Sequence, residues 1–239
     1  MPDCVLSCIE VRDTETSLIC HPAFKLKPGE DRDFIQAVLA TIKGESGTQQ
    51  SRAFLELTRK AKFCVIFSGS GLTYALDGDF DMFIEMVHQL NRWARIAVIP
   101  MVSHSNTRGF NHSLYQRTGY VNKVSFAGGV SNGEEASFLE QVRGRSADCI
   151  LIVGSDPFLD LPQSLMISLE GIPVICLNPV VTPTTNRARV VLGTATSGIE
   201  ADGKVRRMDG EEVELLKIKE SEHPTDEEVL GRLLARIRK

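Results

Sequence analysis

The chain has 239 residues, 42% of them hydrophobic and 24% charged, with 27 basic against 31 acidic side chains and a net charge of −4. This supplies a buried core for one large domain or two small ones and excludes a disordered chain. The charge gives no reason to expect a nucleic acid partner. No apolar run approaches the roughly 20 residues of a membrane helix, and Asp3, Glu10 and Asp13 interrupt any signal-like core, so a cytoplasmic setting is expected.

In chain order, residues 4–11 read as a strand, and Phe34, Ile35, Val38, Leu39 and Ile42 trace one face of a helix that ends at Gly44. The polar stretch 44–51 is the best internal boundary, which divides the chain into 1–48 and 49–239. A single strand and helix do not make a domain. Either they join the main sheet, or they belong to a second sheet whose other strands lie on sequence outside this chain. Further strands are expected at 62–68, 95–102, 148–153 and 173–177. Helices are expected along Phe80, Phe83, Ile84, Val87 and Leu90 with Asp79 as cap, and near 134–143 and 159–169.

Short apolar strands alternating with amphipathic helices predict an α/β fold: a Rossmann-like, mostly parallel sheet with helices on both faces. From Ile199 the period becomes two. Asp202-Gly203 and Asp209-Gly210 mark turns around the runs 204–208 and 212–218, a small β-meander. Thr225-Asp226-Glu227-Glu228 then forms a capping box before a terminal helix striped with Val229, Leu230, Leu233, Leu234 and Ile237. The six cysteines are scattered and read as core thiols; Cys4 and Cys8 stand about 13 Å apart along a strand, too far to share a metal.

Several strand ends carry polar chemistry. Phe67-Ser68-Gly69-Ser70-Gly71-Leu72-Thr73 fits either a phosphate-facing loop or a plain strand-to-helix turn, and it lacks the third glycine of the dinucleotide fingerprint. Glu10 with Arg12, Gly154-Ser155-Asp156-Pro157, and Leu177-Asn178-Pro179 offer groups able to hold ribose hydroxyls or a guanine edge, although Asp and Asn there also start turns. Lys27-Pro28-Gly29-Glu30-Asp31 is complete as a turn and helix start without a ligand. The densest polar cluster is 103–112, with His104, Asn106, Arg108, Asn111 and His112; Arg108 could reach a carboxylate or phosphate. Asn178-Pro179 with Thr182, Thr184 and Thr185 loosely echoes Val11-Arg12 with Thr14 and Thr16, which raises the idea of two similar half-sites.

Taken in order, IEVRDTET (9–16), FKLKPGED (24–31), FSGSGLT (67–73), NTRGFNH (106–112), VGSDP (153–157), LNPVVTPTT (177–185) and GIEADGKVRRMDG (198–210) resemble the second half of the molybdopterin oxidoreductase family, in the branch that holds the B subunit of formylmethanofuran dehydrogenase. The resemblance spans nearly the whole chain. It implies a tungsten or molybdenum ion held by two molybdopterin guanine dinucleotides, reversible reduction of CO2 to formate, and formation of N-formylmethanofuran together with other subunits of a complex. Residues Glu10, Arg12, Thr14, Lys27, Gly29 and Asp31 match segments that hold one nucleotide tail. Gly69, Gly71, Asn106, Gly154, Asp156 and Asn178 match segments that line the rest of the cofactor cleft.

Arg108 matches the arginine that the resemblance places beside the metal, where it would orient a carboxylate. No counterpart of the family's N-terminal half, which carries the iron-sulfur and metal-ligand cysteines, is present, so the resemblance implies a cofactor-binding part rather than a complete catalyst. The alternative is a non-catalytic scaffold subunit without metal or redox chemistry, as in formyltransferase/hydrolase-type complexes.

Overall fold

The computed structural model describes residues 4–102, 104 and 106–237, and its packing divides the chain into two units, Met1–Ser103 and His104–Lys239. Of the polar cluster 103–112, residues 103 and 105 lie outside the described residues.

The first unit runs β1 (Cys8–Glu10), α1 (Glu15–Ile19), β2 (Ala23–Lys25), α2 (Asp31–Ile42), α3 (Gln49–Lys60), β3 (Phe63–Ser68), α4 (Ser70–Leu76), α5 (Asp81–Leu90) and β4 (Arg95–Pro100). β1 pairs with β2 and β3 with β4, both in parallel. α2 buries Phe34, Ile35 and Val38 on the face that the periodicity predicts, and α5 buries Phe83, Met86 and Leu90 at helical spacing. Ile84, expected inside, faces out, because Met86 takes the inward position. Phe24, Phe34 and Phe54 form an aromatic triad with ring centroids 5.6–6.4 Å apart, which packs α2 on α3. The polar stretch 44–48 is therefore a connection between two packed helices within this unit. Arg32 donates to the Leu76 carbonyl and pairs with Asp79, and Asp79 accepts from the Asp81 amide; the N-cap position of α5 is Phe80, one residue beyond the Asp79 that the sequence predicts, and no side chain caps the helix there.

The second unit runs α6 (Thr107–Thr118), β5 (Val124–Ser125), β6 (Ser131–Asn132), α7 (Phe138–Arg143), β7 (Ile150–Val153), α8 (Pro157–Asp160), α9 (Gln163–Ser168), β8 (Val174–Asn178), α10 (Pro183–Arg187), β9 (Val190–Gly193), β10 (Gly203–Arg206), β11 (Glu212–Leu215) and α11 (Asp226–Ile237). β7, β8 and β9 make a parallel sheet in that order, and β10 with β11 makes an antiparallel hairpin. Ile150, Ile152, Val174 and Cys176 build the core with Val142, Phe158, Leu165 and Leu169. The capping box of α11 forms as predicted, with Thr225 and Glu228 exchanging backbone-to-side-chain bonds of 3.0 and 3.2 Å.

The fold is α/β with parallel strands, a C-terminal hairpin and a terminal helix. The parallel strands are distributed over three short sheets rather than one, two in the first unit and one in the second. Along β7 burial alternates: Ile150 and Ile152 point into the core, whereas Leu151 and Val153 are exposed. β3 likewise leaves Phe63 and Phe67 exposed. The segment 107–112 of the polar cluster, where the sequence pattern predicts no helix, is the start of α6. The cysteines also depart from the core-thiol reading. Cys20 and Cys176 are buried, but Cys4 and Cys149 are exposed because each precedes the first paired residue of its strand.

Candidate functional site

In the first unit the sequence-derived residues gather at the carboxyl ends of two strands. Glu10 ends β1 opposite Lys25, and its carbonyl accepts from the Leu26 amide at 3.1 Å. Arg12 follows in the exposed β1–α1 loop. Thr14 caps α1: its hydroxyl accepts from the Ser17 amide at 3.1 Å, and the Ser17 hydroxyl accepts from the Thr14 amide at 2.8 Å. After β2, Lys27 opens a turn in which its carbonyl accepts from the Glu30 amide at 3.0 Å. Gly29 sits at the third position with φ +88°, and this left-handed conformation after Pro28 is a type II turn. Asp31 starts α2, where a carboxylate suits the helix dipole. Glu10, Arg12, Thr14, Lys27, Gly29 and Asp31 thus share one edge of the β1–β2 sheet.

Gly69 and Gly71 lie at the end of β3 and in the first turn of α4. Neither needs glycine for a left-handed backbone, and a β-carbon added at either would meet nothing within 4 Å. The segment therefore leaves the backbone open to close approach from outside the unit.

In the second unit Gly154, Asp156 and Asn178 come together at the ends of β7 and β8. Gly154 has φ +59° and donates to the Leu177 carbonyl at 2.9 Å. The Asn178 side chain, almost fully buried, donates to the Ser155 carbonyl at 3.3 Å and accepts from the Val180 amide at 3.2 Å. Asp156 accepts from both the amide (2.9 Å) and the hydroxyl of Thr184. These polar groups stitch the sheet's edge together.

Asn106 and Arg108 do comparable work at α6. Asn106 caps the helix in the left-handed region at φ +57°, and its side-chain amide pairs with β10 by donating to the Lys204 carbonyl (3.3 Å) and accepting from the Arg206 amide (2.9 Å). The Arg108 guanidinium donates to the Met208 carbonyl in the hairpin turn. Asn106, Gly109, His112, Lys204, Arg206 and Glu212 are among the residues that line a shallow groove of about 350 Å³.

The echo between the two Thr-rich segments proves to be a repeated unit. β1–α1–β2 and β8–α10–β9 are each strand, five-residue helix and parallel strand, with the same register: Cys8 faces Ala23 and Cys176 faces Val191. Thr182 and Thr185 reproduce the capping box of Thr14 and Ser17. The bond from the His21 amide to the Leu6 carbonyl has its equivalent from the Arg189 amide to the Val174 carbonyl, both at 2.8 Å. Corresponding residues are thus 168 apart, from Leu6/Val174 to Lys25/Gly193. Sequence reasoning missed Thr184 as the acceptor's partner and the hairpin as the partner of Asn106. The Thr-x-x-Thr spacing signals only the cap, and the Asn106 contact spans a hundred residues.

The nucleotide ends of the implied cofactor fit the first half-site better than the second, since no side-chain bond or ion pair among the described residues occupies Glu10 or Arg12, while Asp156 and Asn178 are engaged internally. Among the described residues no three His, Cys, Asp or Glu side chains gather as a metal ligand set. No helix among them is long and apolar enough to cross a membrane.

No family model matches the chain. It is 28% identical to the B subunit of the tungsten-containing formylmethanofuran dehydrogenase 2 of Methanocaldococcus jannaschii, in an alignment covering 99% of this chain and 58% of that protein. It is 27% identical to the protein of the same name from Methanococcus maripaludis, covering 96% and 56%. The chain therefore spans just over half the length of these relatives and resembles the B subunit of formylmethanofuran dehydrogenase along nearly all of its own. Among solved structures, the formyltransferase/hydrolase complex of Methylorubrum extorquens with methylofuran contains a chain of the same fold. The TM-score is 0.73 at 18% identity, over 98% of this chain and 65% of that one.

Proposed function

We propose that this chain is the cofactor-binding, C-terminal part of the B subunit of a formylmethanofuran dehydrogenase, working in a complex with other subunits in the reversible reduction of CO2 to formate and N-formylmethanofuran. The repeated strand–helix–strand unit is the observation that carries it. Two half-sites of one design, each with polar groups at its strand ends, suit a ligand with two nucleotide tails, and the resemblance implies a tungsten or molybdenum bis(molybdopterin guanine dinucleotide). When bound, that group supplies the redox chemistry. This chain's part is to bind and orient it: Glu10, Arg12, Lys27 and Asp31 toward one tail, the Gly69 and Gly71 backbone toward phosphate, and Gly154, Asp156, Asn178 and Asn106 as the frame of the remaining cleft. Arg108 orients the carboxylate of formate once it exchanges the Met208 carbonyl for that ligand.

The engagement of Asp156, Asn178 and Arg108 in internal bonds favours a second reading, a scaffold subunit whose cleft no longer binds cofactor. Purification of the complex from native cells decides between them: tungsten or molybdenum with pterin supports the first, and their absence supports the second. Titration of the chain with GMP or GDP gives an independent measure. A ligand bound only to the folded state raises stability by about 2.7 kcal/mol at a hundredfold excess over Kd, and no shift at millimolar nucleotide overturns the cofactor-binding reading.

A further inference from the structure

Two differences between the copies of the repeated unit carry chemical consequences. Thr16, the counterpart of the buried Thr184, is exposed. The second difference lies inside. Cys8 opens β1 opposite Ala23, and Cys20, 4% exposed, ends α1 with an extended backbone. The bond from the His21 amide to the Leu6 carbonyl turns this end of the helix back onto β1. There the Cys8 and Cys20 side chains are hydrogen-bonded to each other. In the second copy the same positions hold Cys176 and Ala188, and Ala188, which ends α10 with the same extended backbone, packs against the core that contains Cys176. A methyl group is therefore enough to fill this corner, and the second sulfur of the first copy is not required by the packing.

Two thiols in side-chain contact, held by one strand–helix–strand frame, need little movement to bond. We propose that Cys8 and Cys20 are a redox pair, which closes to an intrachain disulfide by exchange with a low-molecular-weight disulfide of the glutathione class. The half-buried Cys8 reacts first: its thiolate attacks one sulfur of the small disulfide and expels a thiolate, leaving a mixed disulfide on Cys8. The Cys20 thiolate then attacks the Cys8 sulfur and expels the second. The chain's two thiols give up two protons and two electrons, and the small disulfide, taking up both, is reduced to two thiols. Burial, and after it the Cys20 contact, raises the Cys8 thiol above its usual value. Closure is therefore slow, and Cys8 is a poor leaving group when a small thiol attacks the bridge. The closed ring spans residues 8–20, with Glu10, Arg12 and Thr14 inside it, and fixes the end of α1 on β1. Ala188 denies the second copy the same bridge. The disulfide forms whatever this loop binds, so the inference stands apart from the proposed function.

The test equilibrates the reduced full chain with oxidised and reduced glutathione, quenches with acid, alkylates the remaining thiols with N-ethylmaleimide in denaturant, and reads the digest by mass spectrometry. The expected product is a peptide pair joined through Cys8 and Cys20, with Cys64, Cys149 and Cys176 alkylated. Cys20→Ala installs the residue of the second copy, so the fold is kept, and the exchange stops at its first step with glutathione left on Cys8. Cys4→Ser keeps the yield of the Cys8–Cys20 link within twofold. Hydrogen exchange of the amides between the two cysteines slows at least tenfold in the bridged protein, because the ring limits local opening of α1. Glutathione retained on Cys8 of the parent, links from Cys8 to Cys4 or to a second molecule in place of this one, no disulfide at all, or equal exchange in the bridged and reduced proteins overturns the proposal.

Discussion

Gly109 lies one turn into α6 from Asn106, and a β-carbon at 109 would come within 2.8 Å of the Asn106 amide carbon. The glycine makes room for the side chain that joins the helix to β10. Gly109→Ala displaces that amide and leaves the Arg206 N–H and the Lys204 carbonyl to solvent or without partners, costing about 1–3 kcal/mol. Thermal melting measures it; an unchanged midpoint means that the helix–hairpin joint contributes nothing.

Gly71 gives the opposite expectation. Its surroundings are open, so Gly71→Ala leaves stability unchanged or raises it by up to about 1 kcal/mol. The added methyl group nevertheless obstructs close approach to the backbone, and GMP or GDP affinity falls in a thermal-shift titration. Equal affinity in both proteins argues against a phosphate at this turn.

Asp156 anchors a fully buried threonine. Asp156→Ala leaves the Thr184 O–H and N–H donors without their acceptor in the interior, although the hydroxyl oxygen still accepts from the Phe158 amide, and destabilises the chain by about 2–3 kcal/mol. The mirror-image change Thr16→Ala stays within about 0.5 kcal/mol in the isolated chain, as for an exposed position. Urea unfolding of the pair measures the contrast, and equal losses contradict the difference between the two copies.

Glu200 accepts from the Thr196 amide at 3.0 Å, and this bond, with Lys219 alongside, holds its carboxyl below the usual glutamate value. A depressed folded-state value means that the contribution is present above the unfolded value, near about 4.3, and disappears as pH falls through the folded one. Hydrogen exchange at the Thr196 amide, after correction for intrinsic rate, should lose protection over that acid range. Glu200→Gln removes the pH dependence.

Thiol reactivity follows burial. Cys4 and Cys149 are exposed, Cys20 and Cys176 are buried, and burial pushes the Cys176 thiol up. Timed iodoacetamide labelling read by mass spectrometry should modify Cys4 and Cys149 first and Cys20 and Cys176 only after unfolding.

Much of the fold is legible because it is local. The stripe Phe34–Ile35–Val38 and the run of β7 announce their periods in a few residues, and Thr225 with Glu228 states a cap outright. The positions of Glu10, Asp156 and Asn178 at strand ends follow from the same patterns. What they do there does not. Whether Asp156 faces a ligand or Thr184 depends on a partner 28 residues away, and Arg108 finds a carbonyl a hundred residues on. The helix at Thr107–Thr118 escaped notice because it buries no residue and has no apolar stripe to read. The division of the strands into separate sheets is equally silent in composition, since an unpaired apolar edge and a paired one have the same sequence.

The amide of Asn106 meets the backbone of residue 206. A chain emerging from the ribosome at about 5–20 residues per second must then wait roughly 5–20 s between making the two halves of that bond. Throughout that interval Asn106 lacks this partner, so the nascent protein passes through a stage in which residues 4–102 have been made while the region from 104 onward still lacks its clasp.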